Sequence, residues 1–194
     1  MKKFLFTTLL VASFGATSAY ANEVYSDSSV TSGLSGVSST ALENLRDCLQ
    51  SDTAIASSKA IRACSKAYKA SIPLNDVRSD ILTRRGVLQL SAGRFDKASR
   101  DFKSAAKLNN ENEFAYLGDG YAALLNSDYV KATELFNDCT SHDKAAPLAV
   151  FGLAMAKEMS GDINGAVKKY QQAANMRPNW QAPRVELARV KSST

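Results

Sequence analysis

Apolar and polar positions follow a helical period over most of the chain, and the pattern returns at a fixed interval. The stretch GRFDKASRDFKSAAKL (residues 93–108) has apolar residues spaced three and four apart, which is typical of an amphipathic helix. Similar stretches start 34 residues later, SDYVKATELFNDCTSH (127–142), and after the same interval again, GDINGAVKKYQQAANM (161–176). The pattern predicts repeated units, each made of a helix, a tight turn and a second helix.

Small and aromatic residues occupy equivalent positions in these units. At the offset of 34 residues, two sets of small residues and one set of aromatic residues coincide: Gly86, Gly120 and Ala154; Ala98, Ala132 and Ala166; Phe102, Phe136 and Tyr170. Small residues are needed where two paired helices cross closely, because a larger side chain would force the axes apart. The aromatic residue lies four positions after the second small residue, on the same helical face. We therefore expect it to fill the space between one unit and the next.

Turn and cap residues separate the paired helices. Gly93 and Gly161 are placed to end a helix in the left-handed conformation that glycine adopts without strain. Asp96, Asp128 and Asp162 follow near the start of the next helix, where a carboxylate interacts favourably with the helix dipole.

This arrangement resembles the tetratricopeptide repeat (TPR) family, whose small and aromatic positions fall on the residues above. The resemblance covers three ranges: 79–112, 113–146 and 147–180. The family's late proline is present only at Pro178. The resemblance implies an all-α fold, a right-handed solenoid of helical hairpins with three TPR units. An irregular hairpin at 41–78 precedes them and a capping helix at 181–194 follows.

The capping helix has its own apolar residues. We expect Trp180, Val185, Leu187 and Val190 to be its buried side and its charged residues to face water.

The start of the chain is typical of an exported protein. Residues 1–21 begin with two lysines, continue with a short apolar run and end in Ala-Tyr-Ala, which predicts a cleaved signal peptide. A flexible leader rich in Ser and Gly is expected at 22–40, and the TPR-like domain at 41–194. No later segment is apolar and long enough to span a membrane. The prediction is a protein exported to the periplasm.

Two of the three cysteines are expected to pair. Aligning Ala60 with the family's second-helix alanine places Cys48 and Cys64 opposite each other in the irregular hairpin. In an oxidising compartment this predicts a structural disulfide. The alternative is a redox-active pair, which usually needs a C-x-x-C spacing or a lowered thiol pKa. Cys139 occupies a small-residue core position and is expected to be a buried free thiol.

Candidate chemistry is sparse along the chain. The single histidine, His142, stands beside Asp143 in a connection, and no Cys/His spacing suits a metal. No phosphate-binding loop is present. The net charge of +5 falls to +3 once Lys2 and Lys3 are removed, which does not indicate nucleic-acid binding. The sequence predicts no enzyme, no cofactor and no metal.

A binding surface is implied by the resemblance. TPR proteins line a concave groove with the second, fifth, ninth and twelfth residues of each unit. The apolar members of these rows are the predicted partner-binding residues: Val87, Phe114, Leu117, Tyr121, Leu124, Phe151 and Met155. Such a groove suits an apolar or amphipathic protein segment. The same side chains are equally compatible with a hydrophobic core.

The predicted function is that of an exported protein-interaction module or scaffold without catalysis. Two alternatives stay open: an envelope redox factor or enzyme that uses Cys48 and Cys64, and a structural protein that associates with itself. The sequence predicts neither the partner nor the oligomeric state.

Overall fold

The computed structural model of the chain describes residues 36–51, 57–70, 72–142 and 144–192. The predicted signal peptide and the leader up to residue 35 lie outside the described residues. The described part divides into two compact units, with the boundary between Ala115 and Tyr116. Its secondary structure is entirely helical: α1 (Ser39–Leu49), α2 (Ser58–Lys69), α3 (Asn75–Ser91), α4 (Phe95–Leu108), α5 (Glu113–Leu125), α6 (Tyr129–Cys139), α7 (Ala146–Met159), α8 (Ile163–Met176) and α9 (Gln181–Lys191).

The turns between paired helices have one conformation in all three repeats. Gly93 and Gly161 have positive φ angles of 70° and 93°, as predicted, and Ser127 takes the equivalent position with φ 67°. In each turn this residue donates its N–H to the carbonyl three residues before it, and the next residue donates to the carbonyl five before it. These two bonds satisfy carbonyl groups at the end of a helix. Ser127 shows that the turn forms even without glycine.

The second helices begin with two aspartate caps. Asp128 accepts a hydrogen bond from the Lys131 N–H at 3.2 Å, and Asp162 accepts one from the Gly165 N–H at 2.8 Å. Arg94 occupies the same position before α4, without a side-chain cap. Asp96 lies in the first turn of α4, near the dipole as expected but out of register with the other two aspartates.

The predicted contact of small residue with aromatic residue is present in each unit. A Cβ atom added at Gly86 in α3 would lie 2.7 Å from Cε1 of Phe102 in α4. In the second unit the ring of Phe136 lies against two glycines, Gly120 of α5 and Gly152 of α7. Both rings are fully buried. The absence of a side chain therefore lets the aromatic ring approach the backbone of the neighbouring helix.

The irregular N-terminal hairpin is held by the predicted disulfide. The Sγ atoms of Cys48 in α1 and Cys64 in α2 are 2.11 Å apart, and the Cα atoms are 4.6 Å apart. Leu45, Ile61 and Ile81 bury the bridge in an apolar cluster that joins α1 and α2 to α3. The helix α1 begins at Ser39, capped by the Ser38 hydroxyl, so it starts within the stretch predicted as leader. Cys139 is buried outside the bridge, as predicted.

The C-terminal helix α9 differs from its prediction at one pair of neighbours. Val190 is buried, as expected, but Val185 is 55% exposed and Glu186 is buried instead. Glu186 accepts a hydrogen bond from Nε of Arg189 at 2.6 Å, and this ion pair makes the burial of its carboxylate favourable. The prediction that all charges of α9 face water was therefore wrong.

Within the described ranges, none of the helices combines the length and the apolar character needed to cross a membrane.

Candidate interaction surface

The predicted groove residues are almost all buried in the structure. Leu117, Tyr121 and Leu124 of α5 and Phe151 and Met155 of α7 belong to the second unit, and each is fully or nearly fully buried. In the first unit, Val87 of α3 is buried and Phe114, at the start of α5, is half-buried. The apolar rows of the first helices therefore form closely packed surfaces within their units.

Tyr121 is the most constrained of these residues. Its hydroxyl donates a hydrogen bond to the Leu148 carbonyl oxygen of α7 at 2.7 Å. Its ring meets the ring of Phe136 edge to face, with the centroids 4.8 Å apart. Burial raises the pKa of the Tyr121 hydroxyl far above its usual range, so the group stays a neutral donor. Tyr121 thereby connects the three helices α5, α6 and α7.

Phe151 has aromatic neighbours on two sides. Its ring centroid lies 5.5 Å from that of Tyr170 in α8 and 4.9 Å from that of Trp180, the residue before α9. Such edge and tilted contacts are favourable beyond the buried area. The row of α7 that contains Phe151 and Met155 is thus continuous with the aromatic core of the second unit.

A carboxylate closes the same row of α7. Glu158 accepts hydrogen bonds from Nη2 of Arg189 at 2.7 Å and from the Tyr170 hydroxyl at 2.9 Å. Its side chain is almost fully buried. Burial, and then the Glu158 carboxylate, raise the pKa of the Tyr170 hydroxyl. This network joins α7, α8 and α9, and sequence reasoning had placed Glu158 only as a groove position.

The first unit contains a polar cluster that the sequence did not predict. The side-chain N–H2 of Asn112 donates to the hydroxyls of Ser79 and Thr83, at 2.9 and 3.1 Å, and to Asp80 Oδ1 at 3.3 Å. Its side-chain oxygen accepts the Ala115 N–H at 3.2 Å. Asn112 therefore caps α5 and attaches its start to α3. An Asn directly before an acidic first turn is the signal that could have found it.

The described residues offer little for catalysis or metal binding. They contain no group of three or more His, Cys, Asp and Glu side chains that could hold a metal ion. Cys48 and Cys64 are both 0% exposed. Thiol–disulfide exchange needs access of an attacking thiolate to a sulfur atom, so this burial favours a structural bridge over a redox-active pair.

Comparison with solved structures identifies the architecture. A MamA fragment from Desulfovibrio magneticus RS-1, residues 41 to the end, matches 81% of this chain and 87% of its own length, with TM-score 0.62 and 17% identity. The chain has a TPR-like fold. The Arabidopsis OM64 TPR domain matches 62% of this chain and 99% of its own length, with TM-score 0.54 and 20% identity. Another MamA crystal structure gives TM-score 0.60 at 18% identity. No family model and no curated protein sequence matches the chain.

Proposed function

We propose that the chain is an exported protein-interaction module, without catalysis, that binds an apolar or amphipathic protein segment on its first helices. The TPR-like fold supports an interaction or scaffold role, because stacked helical hairpins present extended surfaces for recognition. The proposed contact residues of the second unit are those predicted from the sequence: Leu117, Tyr121, Leu124, Phe151 and Met155.

The composition of α7 is the observation that carries this proposal. From Ala146 to Ala156 every residue of the helix is apolar and buried, and its charges are confined to the last turn. A helix that packs on one side only shows an apolar stripe, whereas an apolar surface all round has to be covered all round. We attribute the row of Leu148, Phe151 and Met155 to a function beyond helix pairing, as the place where a partner segment inserts.

Export is supported by the disulfide. A buried Cys48–Cys64 bridge is expected to persist in an oxidising compartment and is rare in a reducing one. Together with the signal-like residues 1–21, it supports a periplasmic location.

Photo-crosslinking from a single methionine tests the proposal. Met155 is replaced by photo-methionine, and Met159 and Met176 are changed to leucine. Photo-methionine is close to methionine in size, so it fits the buried position. The expected result is a discrete adduct between Met155 and one partner segment, identified by mass spectrometry. Labelling of the chain by itself alone would mean that Met155 is only core and would contradict the proposal.

A matched variant controls for accidental labelling. It retains photo-methionine at Met176, which is 43% exposed on α8, and has leucine at Met155 and Met159. An exposed probe labels abundant neighbours non-specifically, so the same adduct from both variants would also count against the first-helix surface.

A further inference from the structure

The cations of the first unit are concentrated on two helices. In α2 and α4, every exposed residue other than Ser58, Asp96 and Ser104 is a lysine or an arginine. The eight cations form what we call the basic patch: Lys59, Arg62, Lys66 and Lys69 on α2, and Lys97, Arg100, Lys103 and Lys107 on α4. Within each helix they recur every three or four residues, which places them on one side. The small net charge of the whole chain conceals this local excess.

Arg85 of α3 joins the two helices that carry the patch. Its guanidinium donates to Asp101 of α4 through two hydrogen bonds of 2.6 and 2.8 Å, and to the Ser65 hydroxyl of α2 at 3.3 Å. Tyr68 near the end of α2 packs with Ala106 and Leu108 of α4 in one apolar cluster. The helices α2 and α4 are therefore neighbours, and their cations act on the same region of solvent.

Acidic neighbours do little to neutralise the patch. Among the described residues none of its eight cations forms an ion pair. Asp101, one of the two acids on these helices, is buried and already bound to Arg85, whose pKa this hydrogen bond raises. The other is Asp96. The patch thus has a strong local positive potential.

We propose that the basic patch docks the protein on a membrane surface rich in anionic phospholipid. Six of its eight cations are lysines, which are depleted at protein–protein interfaces and act as flexible point charges rather than as bidentate anchors. The exposed faces of α2 and α4 present no apolar or aromatic side chain that could anchor a protein partner. Such a surface suits the diffuse charge of lipid headgroups, to which each nearby cation contributes about a fivefold gain in binding.

Vesicle co-sedimentation tests this inference with the purified protein. The vesicles consist of phosphatidylcholine alone, or of phosphatidylcholine with about one third phosphatidylglycerol. Binding is expected only to the anionic vesicles. Raising the salt from about 0.1 M to about 1 M shortens the Debye length from about 10 Å to about 3 Å and should release the protein. Equal binding to both vesicles would show insertion of the apolar run near the N-terminus and would overturn the proposal.

Three variants with the same change in charge locate the surface. Replacing Lys59, Arg62, Lys66 and Lys69 with glutamine, or the four cations of α4, should weaken binding at least about tenfold. The matched control replaces four cations of the second unit with glutamine, Lys168, Lys169, Arg184 and Lys191, and should leave binding nearly unchanged. Equal loss in all three variants would mean that only net charge matters. Binding to soluble polyglutamate but not to anionic vesicles would assign the patch to an acidic protein. Either result overturns the membrane proposal.

Discussion

Substitution of Gly152 by alanine should destabilise the second unit, although alanine favours a helix. The new Cβ atom would lie 2.6, 2.7 and 2.8 Å from three ring atoms of Phe136. The ring cannot retreat, because a Cβ built at Gly120 would lie only 2.8 Å from it. Overpacking of this kind costs up to about 3 kcal/mol, and the helix propensity of alanine recovers about 1 kcal/mol. The expected net loss is about 2 kcal/mol.

A second substitution isolates the cause. In a Phe136→Leu background the ring is absent, so Gly152→Ala should be neutral or stabilising by up to about 1 kcal/mol. The coupling energy between the two sites should then be about 2–3 kcal/mol. Unfolding in urea, followed by the fluorescence of the single tryptophan, Trp180, measures the second unit. The reasoning is refuted if Gly152→Ala stabilises the parent protein, or if its cost persists without the Phe136 ring.

Three further predictions concern the bridge, the polar cluster and an aspartate cap. Removing the Cys48–Cys64 bridge, which spans 16 residues, should cost about 3 kcal/mol. Unfolding of the Cys48→Ser, Cys64→Ser variant measures this cost, and the unfolded, unreduced parent should titrate one thiol, Cys139. Asn112→Ala leaves the Ala115 N–H and the Ser79 and Thr83 hydroxyls without this partner. We expect a loss of about 1–3 kcal/mol in urea unfolding followed by circular dichroism, and a loss under about 0.5 kcal/mol would contradict the role of Asn112. The Lys157 hydrogen bond, and then the Gly165 N–H, lower the pKa of Asp162 from 3.8. Its contribution is therefore complete above that pH and is lost as the pH falls through the folded pKa. Asp162→Asn should reduce the acid-induced fall in Tm between about pH 6 and pH 3, and an unchanged fall would show that the cap does not titrate with folding.

The repeated elements could be predicted from the sequence because each signal occurs several times. One glycine four residues from an aromatic carries little information, but the recurrence of Gly86 with Phe102 and of Gly120 with Phe136 at one interval defines both the helix pairs and their contact. The left-handed turns at Gly93 and Gly161 follow from the same recurrence. The disulfide followed from placing the N-terminal hairpin on the repeat.

The features that the sequence did not predict depend on contacts distant along the chain. Glu186 is buried because it pairs with Arg189, which also reaches Glu158, 31 residues away. A single helical pattern cannot reveal that network, so Val185 was expected to be buried instead. Asn112 bonds to side chains about 30 residues earlier. Similarly, the period that places Tyr121 on a predicted groove does not reveal that its hydroxyl meets Leu148.

Amide hydrogen exchange, with and without the segment identified by cross-linking, tests the central claim most directly. If the chain binds a protein segment on its first helices, exchange in α5 and α7 should slow at saturation, while exchange in α2 and α4 stays unchanged. Protection confined to α2 and α4, or to the C-terminal helix α9, would contradict binding on the first helices and would show that the partner uses another surface.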